Sequence, residues 1–120
     1  MVRKFRFQDL EIWQMAIVIT DKLFDIADTT EEKRLYRFTE QLRGAAMSIS
    51  NNIAEGSGSD SKNDFARFVN FARRSAFECA NILIILYRRK LISEQVLDDL
   101  FTELEKLSRK MTNFKKSLRA

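Results

Sequence analysis

The sequence lacks histidine and proline, and it has one cysteine and three glycines among 120 residues. Without histidine the chain cannot build a Ser-His-Asp or Cys-His catalytic centre, nor the Glu-x-x-His metal site of many helical bundles. Zinc prefers imidazole and thiolate ligands, and Cys79 is the single side chain of that kind. Glu40, Glu55 and Glu78 could face one another, but no repeated carboxylate motif supports a metal site. We therefore predict no metal, no cofactor and no enzymatic activity, and a small core residue at Cys79.

The scarcity of glycine and proline favours an all-helical chain, because strand-rich domains need many turn residues. With 45% hydrophobic residues, the chain has enough apolar material for one domain over residues 1–120. A single cysteine excludes an intramolecular disulfide and fits a reducing compartment. The longest apolar run, residues 82–87, is far shorter than the roughly 20 residues of a spanning helix. We therefore expect a soluble cytoplasmic protein that makes no membrane contact.

Hydrophobic periodicity predicts four helices, at about residues 9–28, 30–55, 61–90 and 93–117. Thr29 with Glu32, and Ser61 with Asp64, have the spacing of a residue that caps a helix N-terminus. Ser93 is expected to cap the fourth helix, and Gly56 to end the second in a left-handed conformation. Short connections between long helices favour antiparallel neighbours. The predicted fold is an antiparallel up-down-up-down four-helix bundle.

Two helices carry more apolar residues than one core stripe can use. On the first helix we place Leu10, Trp13, Ile17, Phe24 and Ala27 in the core, which leaves a second stripe on the opposite side. A monomer would leave such aligned residues in water. We predict that the surplus residues of the first and third helices form an oligomer interface: Ile12, Met15, Ile19, Ile26, Phe71, Phe77, Ile84 and Ile85. The alternative is a different register, with these residues at the edges of the core.

The net charge of +4 and the pI of about 9.4 favour an anionic partner. Several basic residues form short clusters on the third and fourth helices, where neighbouring aromatic rings could stack on bases. The candidates for nucleic-acid binding are Arg73, Arg74, Arg88, Arg89, Lys90, Lys106, Arg109, Lys110 and Lys116. A solvated or salt-bridged surface is the alternative for each cluster. On the fourth helix, the acidic residues come before the basic residues, and this is also the order that the helix dipole favours.

A row of small and polar residues runs along the second helix, beside its apolar stripe. Its members are Gln41, Ala45, Ser48, Asn52 and Glu55. Serine and asparagine are poor residues for a helix interior, so helix formation does not explain them. They serve either to clamp a neighbouring helix or to meet a partner. We expect Ser48, Asn52 and Glu55 to form hydrogen bonds that fix the turn between the second and third helices.

Five segments together resemble the 23S ribosomal RNA intervening-sequence proteins, a four-helix-bundle family, over about residues 5–92. These segments are Phe7 to Trp13, Gln41 to Arg43, Ser48 to Gly56, Phe65 to Phe68 and Ala72 to Ser75. The resemblance implies a cyclic homo-oligomer, typically a pentamer. A related branch comprises accessory proteins of diversity-generating retroelements, which bind nucleic acid and a reverse transcriptase. Unlike much of the family, this chain has no proline in or before the second helix, and Arg74 stands where a glycine commonly precedes the serine.

From these features we expect a non-enzymatic, homo-oligomeric bundle that associates with nucleic acid, either RNA or DNA, through basic patches. The alternative is a scaffold that binds a partner polypeptide and makes no contact with nucleic acid. The motif residues Gln41, Ser48, Asn52, Glu55 and Gly56 are expected to have structural roles in either case.

Overall fold

Residues 1–119 are described by a computed structural model, which has one short 3₁₀ helix, Arg6–Asp9, before four long α-helices. The four are α1 (Glu11–Glu32), α2 (Tyr36–Ser57), α3 (Lys62–Arg88) and α4 (Glu94–Arg119). Each helix contacts its neighbours in the order α1, α2, α3 and α4, and α4 returns to α1. No Cα atom of α1 lies within 8 Å of a Cα atom of α3 in residues 1–119, so these two helices occupy opposite corners of the bundle. The predicted four-helix bundle is confirmed, and no described helix is long and apolar enough to span a membrane.

The register predicted for α1 is wrong. The residues of α1 that are buried in the core are Ile12, Ala16, Ile19, Leu23, Ala27 and Thr30. Trp13, Ile17 and Phe24 are only half-buried. Residues 15–19 are apolar without a break, so periodicity could not choose the inward side of this helix. Small residues such as Ala16 and Ala27 lie at the centre because they let α2 approach, whereas the large rings pack at the edge.

The boundary between α1 and α2 also differs from the prediction, since Thr29 and Glu32 belong to the end of α1. The Thr29 hydroxyl donates to the carbonyl oxygen of Asp25 at 3.2 Å instead of capping α2. The buried Thr30 hydroxyl lies 2.7 Å from the hydroxyl of Thr39, which ties the two helices together. The chain then reverses at Arg34, whose φ of 62° lies in the left-handed region.

The other predicted caps agree with the structure. The hydroxyl of Ser61 accepts a hydrogen bond from the backbone N–H of Asp64 at 3.1 Å. The hydroxyl of Ser93 accepts one from Val96 at 3.2 Å. Between them, α3 ends at Arg88 and turns through Lys90, where φ is 61°. The backbone N–H of Leu91 closes this turn onto the carbonyl oxygen of Leu86 at 2.9 Å.

Gly56 is needed for close packing and not for a left-handed turn, which corrects the prediction. It is buried within α2, and none of the glycines has a positive φ. A Cβ atom placed on Gly56 would lie 2.7 Å from the Cβ of Phe68 and 2.8 Å from the Cδ1 of Phe65. The absence of a side chain therefore lets the end of α2 lie directly against α3.

Replacing Gly56 with alanine should destabilise the bundle by about 1–3 kcal/mol, because the Cβ atom of Phe68 and the ring of Phe65 on α3 would have to move. Gly44 provides a matched control in the same helix, since a Cβ atom there meets nothing within 4 Å. Gly44→Ala should stabilise the protein by up to about 1 kcal/mol through helix propensity. Urea denaturation of the two variants measures both effects. Equal effects of the two substitutions would contradict the packing role of Gly56.

Candidate functional site

The polar row on α2 forms a small notch against α3. The hydroxyl oxygens of Ser48 and Ser75 lie 2.7 Å apart, across the two helices. The amide of Asn52 donates to the carbonyl oxygen of Ser48 at 2.8 Å and to its hydroxyl at 3.0 Å. Together with Phe71, Arg74 and Glu78, these side chains line a shallow cavity of about 360 Å³. The notch joins the middle of α2 to the middle of α3.

This geometry corrects the expectation that Ser48, Asn52 and Glu55 fix the turn after α2. Glu55 is exposed and makes no side-chain hydrogen bond to any residue in 1–119, and the same holds for Gln41. The end of α2 is bonded instead through Ser57, whose hydroxyl donates to the carbonyl oxygen of Ala54 at 2.7 Å. The spacing of the polar row indicated a shared helix face, but it could not indicate where along α3 that face would make contact.

A cluster of three basic side chains lies near the end of α4, beside α3. Lys115 donates to the side-chain oxygen of Asn70 at 2.9 Å. Partial burial lowers the pKa of Lys115, and the positive charges of Arg73 and Arg119 lower the pKa further. Within residues 1–119, none of the three forms an ion pair with a carboxylate. Among the described residues, the cluster is therefore a local concentration of positive charge without a carboxylate partner.

The sequence identified Arg73 in this cluster but missed Lys115 and Arg119. The missing signal is the contact between helices, because Lys115 reaches Asn70 from a different part of the chain. Arg73 itself lies over the ring of Phe77 at 4.7 Å, and its Nε atom is buried without a hydrogen-bond partner among the described residues. Lys116, a predicted residue, is exposed in the same last turns of α4.

The remaining predicted basic residues divide into three groups. Arg109 pairs with Glu105 at 2.8 Å, and Lys110 pairs with Glu11, so their charges are partly neutralised. Arg74 and Lys106 are exposed on separate sides of the bundle. Three more lie exposed at the end of α3, without an ion pair in residues 1–119: Arg88, Arg89 and Lys90.

The residues predicted for an oligomer interface also divide. Ile12 and Ile19 are 4% and 2% exposed, so they belong to the core of the bundle and cannot meet a partner. Met15 and Ile26 are half-buried and pack against that core. On α3, Phe71 is half-buried, and the three other predicted residues are exposed: Phe77, Ile84 and Ile85. Exposed apolar side chains are therefore more numerous on α3 than on α1.

An open groove of about 560 Å³ separates the outer sides of α3 and α4. Its floor is apolar, with Ala76, Ala80 and Leu104 between the rings of Phe77 and Phe101. Arg73 and Arg109 stand along the same groove. An apolar floor with positive charge at its sides suits a helix face or a base more than a small polar substrate.

Neither Cys79 nor the three glutamates considered in the sequence has the surroundings of a catalytic group among the described residues. Cys79 is fully buried, and burial, with a smaller contribution from the charge of Glu78, raises the pKa of its thiol to about 12. A protonated, buried thiol is a poor nucleophile. Glu40, Glu55 and Glu78 are exposed, and no group of three potential metal ligands converges within residues 1–119.

Residues 8–113 match the family described as 23S rRNA-intervening sequence protein. The chain belongs to this family. Its fold is similar to that of a protein of unknown function from the S23 ribosomal protein family of Bacteroides thetaiotaomicron, with a TM-score of 0.82 and 18% identity. That similarity covers 88% of this chain and 98% of the other chain. No curated protein matches the chain.

The family match includes the polar notch and ends before the last basic residues of α4. The match runs from before α1 into the last turns of α4, so it includes the notch residues Ser48, Asn52 and Ser75. It stops before Lys115 and Arg119, which lie outside the matched residues.

The raised pKa of Cys79 predicts a native thiol that stays protonated at pH 9, whereas half the thiols of the unfolded chain would be ionised near that pH. Iodoacetamide should therefore label the native protein slowly and the urea-unfolded protein rapidly. Because the unfolded state ionises first, stability should fall as the pH rises from about 9 towards about 12. Rapid labelling of the native protein would contradict the burial of this thiol, and Cys79→Ala provides the unlabelled control.

Proposed function

We propose that this family member is a cytoplasmic, non-enzymatic and homo-oligomeric bundle that associates with nucleic acid, either RNA or a ribonucleoprotein. The observation that carries the proposal is the basic cluster of Arg73, Lys115 and Arg119. A lysine held near two other cations, without a carboxylate partner among the described residues, is a position that an anion would stabilise. A phosphate backbone supplies such anions at regular spacing.

The aromatic and apolar surface beside this cluster supports the same proposal. Phe77 is 56% exposed and lies directly under the guanidinium of Arg73. Stacking on this ring holds the guanidinium of Arg73 in place, where it offers a charge for phosphate. The description of the family as 23S rRNA-intervening sequence protein agrees with an RNA partner.

Self-association would multiply these contacts. A single cluster of three cations binds weakly, but several copies around a ring bind one polyanion together. The exposed apolar residues of α3, among them Ile84 and Ile85, support burial against another subunit. A ring of five subunits is the number that the family resemblance implies.

The second candidate is a scaffold for a partner polypeptide, with no nucleic-acid contact. The apolar groove between α3 and α4 favours it, because a groove of about 560 Å³ could receive one face of an amphipathic helix. In that case the positive charge would serve solubility. The two candidates differ in their dependence on salt.

The nucleic-acid proposal predicts retention on immobilised single-stranded RNA at low salt, with an affinity that falls steeply as salt rises. A triple variant, Lys115→Gln, Lys116→Gln and Arg119→Gln, should bind less tightly. The slope of log affinity against log salt is negative, and each lost phosphate contact should make it less steep by about 0.7. Fluorescence anisotropy with a labelled oligonucleotide measures both quantities.

The matched control removes three charges from the same helix: Lys106→Gln, Arg109→Gln and Lys110→Gln. Two of these residues are already paired with carboxylates, so this variant should keep most of the affinity. Equal losses in the two variants would show that total charge matters and the cluster does not. A folded oligomer that binds no RNA at low salt would overturn the proposal in favour of the scaffold.

A further inference from the structure

The charges of the bundle are divided between two helices at opposite corners. Along its length, α1 carries six carboxylates and one lysine. In contrast, α3 carries five basic side chains and two carboxylates. The backbones of these two helices are not adjacent in residues 1–119 and no ion pair joins them there, so their opposite charges do not meet within one chain. Each of the two helices is therefore available for contact with a second copy of the chain.

On α1 the charge forms a regular exposed row, which we call the acidic stripe. Its members are Gln14, Val18, Asp21, Asp25, Asp28 and Glu32. All six are exposed, and their spacing alternates between four and three residues. This is the 3.5-residue repeat with which one helix faces another along its whole length. Of the four carboxylates, only Asp28 has an ion pair among the described residues, with Arg43 at 2.7 Å.

On α3 a second row has the same spacing, and we call it the basic stripe. Its members are Asn70, Arg74, Phe77, Asn81, Ile84 and Arg88. All but Asn70 are exposed, and none is acidic. Arg74 and Arg88 form no ion pair within residues 1–119. The basic stripe thus joins unpaired cations to the exposed apolar groups of Phe77 and Ile84, which are 56% and 40% exposed.

We infer that the acidic stripe of one subunit packs against the basic stripe of the next. The occupant of each stripe is a second copy of this chain. Opposite charge, equal length and an identical repeat make the two rows complementary, whereas either row paired with itself would bring like charges together. Such a contact uses two different surfaces of the same molecule, and contacts of that kind generate rings or filaments instead of simple dimers.

The direction of the helices agrees with a ring. In an up-down-up-down bundle, α1 and α3 run the same way, so subunits arranged side by side would place these helices parallel. The contact would bury Phe77 and Ile84 at its centre and supply carboxylates to arginines that have none. It would also withdraw Arg74, Phe77 and Arg88 from the nucleic-acid surface, leaving the charges of Arg73, Lys115 and Arg119 for contacts with phosphate.

This inference rests on the proposed self-association, and reversal of charge on each stripe tests it separately. One variant reverses the acidic stripe with Asp21→Lys and Asp25→Lys. A second reverses the basic stripe with Arg74→Glu and Arg88→Glu. Each should weaken assembly about 100-fold or more, because like charges would then face one another across the contact. The chain that carries all four changes should assemble again, since the attraction is restored with opposite polarity.

Multi-angle light scattering over a range of concentrations measures assembly, relative to a chain mass of 14.1 kDa. Circular dichroism and thermal melting check that each variant is folded. The control, Arg37→Glu with Glu40→Lys, reverses two exposed charges of α2 that have no ion pair within residues 1–119, and it should leave the mass unchanged. Restored assembly in the fourfold variant would support the pairing even if one of the single-stripe variants fails to fold.

Two failures are distinguishable. A wild-type mass near 14.1 kDa at all concentrations would overturn the proposed self-association and the pairing with it. A wild-type oligomer that survives both reversals would overturn the pairing alone. A folded fourfold variant that stays dissociated would do the same. RNA binding should persist in the fourfold variant, because the cluster around Lys115 is unchanged.

Discussion

The close approach of α2 and α3 is the constraint on which the rest of the structure depends. These two helices share the most extensive contact of the bundle. It is possible because Gly56 leaves room for the ring of Phe65 and the Cβ atom of Phe68, and because small side chains such as Ser48 and Ser75 continue the contact along both helices. The bond between Ser48 and Ser75 joins the helices at mid-length and satisfies polar groups that burial would otherwise penalise. Ser48 and Asn52, two members of the polar row of α2, thus serve the packing of α2 against α3.

This inward arrangement determines what faces outward. Once α2 uses its small residues against α3, and α1 uses Ile12 and Ile19 against the core, the other sides of α1 and α3 are left to solvent. These sides differ in charge and share one repeat. The bundle therefore has two distinct outer rows at opposite corners, while its basic cluster lies near the end of α4. Assembly and nucleic-acid binding can use separate surfaces.

The sequence was sufficient for the fold and for the capping roles of Ser61 and Ser93, because periodicity and local hydrogen bonds determine them. It was not sufficient for the register of α1. Five consecutive apolar residues there leave the inward side undetermined until α2 supplies small partners. Lys115 was missed for a similar reason, since its neighbours belong to another helix. Contacts between distant segments carry information that spacing along one helix does not contain.

The measurement that tests the central claim most directly is thiol cross-linking between subunits. Asp21→Cys and Phe77→Cys place one thiol in the middle of each stripe, and the buried Cys79 should stay unreactive. A short bifunctional maleimide should join chains that carry both substitutions into a ladder of oligomers. Chains that carry only one substitution should stay uncross-linked. The acidic stripe of one subunit packs against the basic stripe of the next, so two copies of the same thiol do not come together. Efficient dimers from either single variant, or no ladder from the double variant in an assembled protein, would contradict the account.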